Sequence, residues 1–173
     1  ASCFVVCIGG YLDRFDILYK EDNTIKDSKE VRSYLQSKKK KLFSYEIFEN
    51  LDLSKGNYEE LEFQFSSFVG CNFTQSSWNK SHLLFSNLQN TMLKNTKMEK
   101  MKIFDTDFSG ATLEQVDFAG AKIKHVSFAG AKLIQVDFSK VLLAEEINFQ
   151  DAQIVDCKFP EEVGSGLLYH ENR

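Results

Sequence analysis

The sequence contains few of the residues that mark membrane segments, metal sites and flexible linkers. It has one proline, three histidines and four cysteines in 173 residues. It has no apolar run long enough to span a membrane. The net charge of −4 does not indicate general affinity for nucleic acid or lipid surfaces. With 27% charged residues and so little proline, the chain is predicted to be ordered and soluble.

The cysteines do not predict a metal site. Cys3 and Cys7 are four residues apart, which does not closely match either common zinc spacing, and no histidine is near them in the sequence. Cys71 and Cys157 occupy small positions of a repeat described below, so we expect reduced thiols in the core. Reduced cysteines favour a cytoplasmic location, with export into a host cell as the alternative.

The histidines do not predict catalysis. His82 and His125 fall at outward positions of the repeat, His170 lies in the tail, and no serine or cysteine nucleophile is placed beside any of them. There is no glycine-rich phosphate loop. We therefore predict that the chain is not an enzyme and has no catalytic, cofactor-binding or metal-binding residues.

A five-residue repeat dominates the middle of the chain, because every fifth residue between positions 48 and 143 is apolar. Two residues before most of these positions stands a small side chain, such as Ser66, Cys71 or Ala111. A small and then a large inward residue, two apart, is typical of a short strand facing a core. The repeat therefore predicts one short strand and one corner for every five residues.

The segments that begin at Ala111, Ala121 and Ala131 read ATLEQ, AKIKH and AKLIQ. They resemble the A(D/N)LXX motif of pentapeptide repeat proteins, and the resemblance covers about two thirds of the chain. It implies an all-β, right-handed, four-sided parallel β-helix in which four pentapeptides make one coil. Residues 46–161 would then form just under six coils, about 28 Å long at the usual strand spacing.

A coil of twenty residues should place similar side chains above one another, and the sequence shows this period. Two inward columns are mainly aliphatic and two are mainly aromatic. The aliphatic columns are Leu53, Phe73, Leu93, Leu113 and Leu133, and Phe63, Leu83, Ile103, Ile123 and Leu143. The aromatic columns are Tyr58, Trp78, Met98, Phe118 and Phe138, and Phe48, Phe68, Leu88, Phe108 and Phe128.

One corner column is restricted to residues that tolerate positive φ. Its members are Asn50, Gly70, Asn90, Gly110, Gly130 and Asp151. We expect the turn type to alternate around the coil, with the left-handed position at this corner. After Leu143 the pattern resumes one residue late, which predicts an outward bulge at Ala144–Glu146 and an inward Phe149.

The two ends do not follow the repeat. Residues 1–45 form an α/β appendage in this interpretation: a hairpin across Gly9 and Gly10, then a helix opened by Asp27 and Glu30 and ending near the lysines at 38–41. Those lysines indicate a solvated helix end, or alternatively a nuclear address or an anchor to an anionic surface. Residues 162–173 are predicted to form a cap or tail after Pro160.

Two surfaces are candidate binding sites. Phe65, Leu84, Phe85 and Phe104 should form one apolar patch on three adjacent coils. We expect residues 1–45 to cover this predicted patch, with a second copy of the chain or a partner protein as alternatives. A basic stripe should follow one edge, although lysines on flat strands are also ordinary solvated residues that prevent edge pairing. The basic stripe comprises Lys80, His82, Lys100, Lys102, Lys122 and Lys140.

These features favour a scaffold that binds another protein, such as a bacterial effector or its binding domain, because solenoids present long regular surfaces. The alternative follows from the resemblance: some pentapeptide repeat proteins protect DNA gyrase from quinolones as acidic rods that imitate DNA. Residues 46–161 hold seventeen acidic residues against eleven lysines, but the basic stripe interrupts the acidity. A fragment of a larger effector enzyme is a distant third interpretation. Direct nucleic-acid binding is not predicted.

Overall fold

The computed structural model describes residues 27–160, which form one short helix followed by a four-sided parallel β-helix of about six coils. The helix α1 spans Ser28–Gln36. The strands are β1 Leu42–Ser44, β2 Glu62–Gln64, β3 His82–Leu84, β4 Met92–Lys94, β5 Lys102–Phe104, β6 Thr112–Glu114, β7 Lys122–Ser127, β8 Lys132–Ile134, β9 Leu143–Asn148 and β10 Gln153–Val155.

The strands stack into two parallel sheets on opposite sides of the coil. The first has six strands in the order β1-β2-β3-β5-β7-β9, and the second has four in the order β10-β8-β6-β4. Paired residues are twenty apart: Phe63 pairs with Leu83, and Leu83 with Ile103. The remaining two sides are joined by single parallel bridges such as Ser67 with Asn87. The predicted right-handed, four-sided β-helix is confirmed.

The core is formed by the inward columns, whose side chains stack from coil to coil. Phe108 and Phe128 are fully buried, and their ring centroids lie 5.2 Å apart at an interplanar angle of 23°. Phe128 stacks in turn on Phe149 at 5.5 Å. Phe128 therefore contacts a ring on either side, which makes the predicted aromatic stack continuous from Phe108 to Phe149.

The extra residue near the carboxyl end lies earlier than predicted. Ile123 pairs with Ala144 rather than Leu143, so Leu143 is wrong as a member of the inward column. The insertion falls at Leu142, which is 71% exposed, and not at 144–146, because the chain bulges at the corner before β9 begins. The later register is confirmed, since Phe149 is buried and Asn148 is exposed.

Left-handed residues occur at all four corners, so their expected restriction to one corner is wrong. Lys55, Glu60 and Phe65, each at a different corner, have φ of 57°, 60° and 50°. The corners differ instead in hydrogen bonding. Most of those after the two aromatic columns close an i to i+3 bond, as from the Ala111 N–H to the Phe108 carbonyl at 3.0 Å, and the Ser76 N–H does so after the Phe73 of an aliphatic column. The coil geometry, and not the residue type, sets the backbone conformation at its corners.

Helix α1 covers the amino-terminal end of the β-helix. Its Asp27 cap is confirmed, because the Asp27 carboxylate accepts from the Lys29 N–H. Val31 and Leu35 are buried in the same core as the coils. The parallel sheet begins at β1, so residues 42–44 already belong to the first coil, before position 46. The predicted hairpin in residues 1–26 and the cap in residues 162–173 lie outside the described residues.

Candidate protein-binding surface

A ladder of three exposed aromatic rings follows the corner after the six-stranded sheet. Tyr45, Phe65 and Phe85 occupy the same corner position on successive coils and share a left-handed backbone. The Tyr45 and Phe65 rings are 5.1 Å apart, and those of Phe65 and Phe85 are 5.0 Å apart, both at 8° between planes. We call these three residues the aromatic ladder.

The ladder is open to solvent although its members are large and apolar. The exposed fractions are 69% for Tyr45, 48% for Phe65 and 53% for Phe85. Leu84 and Phe104 are half-buried, and they are paired neighbours on β3 and β5 beside the ladder. The four residues of the predicted patch therefore lie together, and the ladder extends them by one coil.

Tyr45 is a member of this surface that the sequence analysis missed. The unbroken repeat of inward apolar residues begins at position 48, and Tyr45 precedes it in the chain. Its spacing of twenty from Phe65 was the available signal. In the described part of residues 1–45, α1 packs at the end of the coil stack and not on the predicted patch, since it contacts Asp52 and Asn57.

The basic stripe is also assembled, and its members differ in their partners. His82, Lys102 and Lys122 are successive paired residues of β3, β5 and β7. His82 Nδ1 lies 3.5 Å from Glu62 Oε2 on the preceding coil. Lys80 Nζ lies 3.9 Å from Glu60 Oε1. Glu60 and Glu62 therefore place carboxylates beside the amino-terminal part of the stripe and not beside the rest.

The hydroxyl groups of the small inward positions are engaged in packing. Ser81 Oγ donates to the Tyr58 carbonyl at 2.6 Å, and Thr96 Oγ1 donates to the Phe73 carbonyl at 2.9 Å, each one coil away. Both hydroxyls are buried. They tie adjacent coils together, which is a structural use rather than a nucleophilic one.

The histidines on the outer surface contact carboxylates. His125 Nδ1 is 3.1 Å from Asp105 Oδ1, and His125 Nε2 is 3.2 Å from Glu146 Oε1. Within residues 27–160 no group of three histidine, cysteine, aspartate or glutamate side chains is arranged to hold a metal ion. The same part of the chain has no helix with the length and apolar character needed to cross a bilayer.

Cys71 is a buried thiol whose Sγ donates to the Phe48 carbonyl at 3.0 Å. Burial raises the pKa of this thiol to about 12, because the thiolate would lose its hydration in the core. Cys71 therefore stays protonated at neutral pH and is a poor nucleophile. Cys157, in the last coil, is also a free thiol but is only half-buried.

Comparison with known families and structures gives one consistent fold. Residues 71–146 match the family model described as a pentapeptide repeat region. A trypsin-treated form of QnrB1, a plasmid-mediated fluoroquinolone resistance protein, is similar with a TM-score of 0.60 and 19% identity over 69% of this chain. A pentapeptide repeat protein from the Arabidopsis thaliana thylakoid lumen is similar with a TM-score of 0.53 and 18% identity, over 64% of this chain and 74% of that one.

These likenesses describe the fold, because the identities are low. The match spans 60% of the length of the QnrB1 chain. No curated protein sequence matches this one.

Proposed function

Since the chain belongs to the pentapeptide repeat proteins, we propose that it is a non-enzymatic scaffold that binds another protein through the aromatic ladder and the apolar residues beside it. The exposed stack of Tyr45, Phe65 and Phe85 carries this proposal. A contiguous apolar surface in water is costly, so proteins seldom keep one without a partner that covers it.

The ladder is suited to binding because it is rigid before the partner arrives. Phe65 is held between the other two rings, each about 5 Å away, and the backbone positions are fixed by the parallel pairing of β1, β2 and β3. A preorganised aromatic surface loses little conformational freedom on association. Aromatic residues also supply much of the binding energy at protein interfaces.

The scaffold requires no reaction chemistry. The buried Ser81 and Thr96 hydroxyls donate hydrogen bonds to carbonyls on the adjacent coil, and burial keeps Cys71 as a neutral thiol. A protein with such free thiols suits the cytoplasm, either of its own cell or of a host cell into which an effector is delivered.

The test compares capture by the parent protein with capture by the double variant Phe65→Asn and Phe85→Asn. Asparagine suits the left-handed corner at both positions, so the double variant should stay folded. Met92→Asn is the control, because Met92 is an exposed apolar residue of the other sheet. A protein from the native host that binds the parent and Met92→Asn but not the double variant supports the proposal. Equal capture by all three proteins refutes it.

A second copy of this chain is a partner that the same variants test. Sedimentation of the parent would show a dimer that Phe65→Asn and Phe85→Asn convert to a monomer.

The alternative function is interaction with DNA gyrase, which the similarity to QnrB1 favours. The lysines of the basic stripe oppose it, because they interrupt the acidic surface that imitation of DNA requires. Purified gyrase decides between the two: loss of quinolone-induced DNA cleavage on addition of this protein would establish the alternative.

A further inference from the structure

The uncompensated part of the basic stripe lies directly beside the predicted patch. Lys100, Lys102, Lys122 and Lys140 have no carboxylate oxygen within 4.0 Å among residues 27–160. We call these four residues the lysine group. Lys140 is partly compensated at longer range, because its charge helps to lower the pKa of Asp137, less than the Ser139 hydrogen bonds and Lys158 do.

The lysine group keeps like charges close together at a cost in stability. Lys102 and Lys122 are directly paired residues of adjacent parallel strands, about 4.8 Å apart along the coil axis. Like charges in that position repel. Gly120 stands between Lys100 and Lys140 at the neighbouring corner, and the Lys100 side chain leans over it toward the next coil. An anionic partner would convert this repulsion into attraction.

The aromatic and basic surfaces meet at β5. Lys102 Nζ lies 5.8 Å from the centre of the Phe104 ring, and Phe104 pairs with Leu84 of the predicted patch. The ladder lies at the carboxyl ends of the strands in the first coils of the six-stranded sheet. The lysine group lies at or just before the amino ends of the strands in later coils. Together they form one diagonal surface across the outer face of this sheet.

We propose that this diagonal surface binds an acidic amphipathic helix of another protein, with its apolar side chains on the aromatic ladder and its carboxylates on the lysine group. This inference rests on the proposed scaffold function and names the chemistry of its partner. Charge complementarity selects the acidic partner, since Lys102 and Lys122 are paired on adjacent strands with Lys100 beside them, and this local surface is positive.

The spacing of the coils favours a helix over an extended strand. One helical turn advances about 5.4 Å, against about 4.8 Å per coil, so side chains one turn apart stay within about 2 Å of register over four coils. Alternate residues of a strand advance about 6.7 Å, so they drift by about 1.9 Å per coil and are about 6 Å out of register over four coils. The backbone groups of β2, β3 and β5 are already paired within the sheet, so an added strand would gain no ladder bonds.

A single-stranded nucleic acid is also anionic and aromatic, but the arrangement of the rings in the aromatic ladder disfavours it as the partner. Bases bind proteins by stacking on the faces of aromatic rings. The faces of Phe65 are covered by Tyr45 and Phe85 at about 5 Å, which leaves no room for a base between them. The ladder offers mainly ring edges, which suit aliphatic side chains.

The rise along the coil axis from Tyr45 to Lys140 is between four and five coil spacings, or about 23 Å, so a helix that follows the diagonal needs more than about 15 residues. The probe is therefore a fluorescent 18-residue synthetic helix with leucines along one side and glutamates toward one end. A second peptide has glutamine in place of every glutamate, and a third has the same composition in scrambled order. Oligothymidine is the nucleic-acid probe. Binding to the full chain is followed by fluorescence anisotropy at low and at physiological salt.

We expect the acidic helix to bind best and to weaken with salt. Lys122→Glu should weaken it about five- to tenfold, which corresponds to roughly 1 to 1.4 kcal/mol. Lys132→Glu is the matched control, because Lys132 is also an exposed lysine at the first position of a strand, β8 on the opposite sheet, and it should leave binding unchanged. Phe85→Asn should weaken both the acidic and the glutamine peptides.

Equal binding of the scrambled peptide, or equal effects of Lys122→Glu and Lys132→Glu, would overturn the proposal. So would absence of binding, or preferential binding of oligothymidine. Failure of the helix probe together with ladder-dependent capture from the host would reject the acidic helix and keep the scaffold. Failure of both experiments would reject both.

Discussion

Gln36 Oε1 accepts a hydrogen bond from the backbone N–H of Asn57 at 2.8 Å, in the place where a preceding coil would offer its carbonyl. One coil later, the equivalent N–H of Ser77 donates to the Gly56 carbonyl at 2.9 Å. Ser28 Oγ does the same for the Asp52 N–H at 2.9 Å. Side chains of α1 therefore replace the backbone of a missing coil.

Gln36→Ala should lower the free energy of unfolding by about 1 kcal/mol, because it leaves the Asn57 N–H without its acceptor. Ser33→Ala is the control, since Ser33 is an exposed residue of the same helix. Urea denaturation measures both variants. Equal effects of the two would mean that the Gln36 bond does not contribute to stability.

Phe128→Ala should lower the free energy of unfolding by about 3 to 5 kcal/mol, because the ring is fully buried between Phe108 and Phe149. Since each coil rests on its neighbours, the carboxyl-terminal coils should lose protection from hydrogen exchange before the others. Leu142→Ala, at the exposed bulge, should stay within about 0.5 kcal/mol of the parent. A melting temperature for Phe128→Ala within a degree of the parent would contradict the assigned core.

Gly110→Ala should destabilise the protein more than Gly130→Ala. Both glycines have left-handed φ, +69° and +62°, so the backbone strain of alanine is similar at the two sites. An added Cβ would lie 2.4 Å from Asn90 Oδ1 at position 110, but would meet nothing within 4 Å at position 130. Thermal unfolding measures the difference. Asn90→Gly, which removes the side chain and still suits the left-handed φ of 57° at that corner, should remove most of it in the Gly110→Ala background. No such rescue would disprove the contact.

The Asp137 carboxylate should make the free energy of unfolding fall as the pH is lowered below about 4. Hydrogen bonds from the Ser139 hydroxyl, and then from its backbone N–H, hold the pKa of Asp137 below its ordinary value, with smaller help from Lys158 and Lys140. Because the pKa is lower in the folded state, the stabilisation is complete above the unfolded pKa of about 3.9 and is lost as pH falls through the folded value.

Asp137→Asn should therefore reduce the slope of stability against pH below about 4. Denaturant midpoints between pH 2 and pH 6 would show it. An unchanged slope would mean that Asp137 does not contribute to acid unfolding.

The sequence by itself determined the coil, its period and the assembly of the predicted patch. Phe63, Leu83 and Ile103 stack because each strand pairs with the one twenty residues away, so spacing alone gives their neighbours. The same arithmetic brought Phe65, Leu84, Phe85 and Phe104 together. In a solenoid each repeat contacts mainly the adjacent ones, and local periodicity is therefore enough to define the core.

Only the tertiary structure decided where the repeat is interrupted and what closes its first coil. Leu142, Leu143 and Ala144 all satisfy the apolar pattern, and the backbone pairing of β9 with β7 is what leaves Leu142 outside. The apolar residues of α1 would suit either the predicted patch or the end of the coil. The N–H groups of Asp52 and Asn57 have no preceding coil to accept from them, and they place α1 at the end, where Ser28 Oγ and Gln36 Oε1 supply the acceptors.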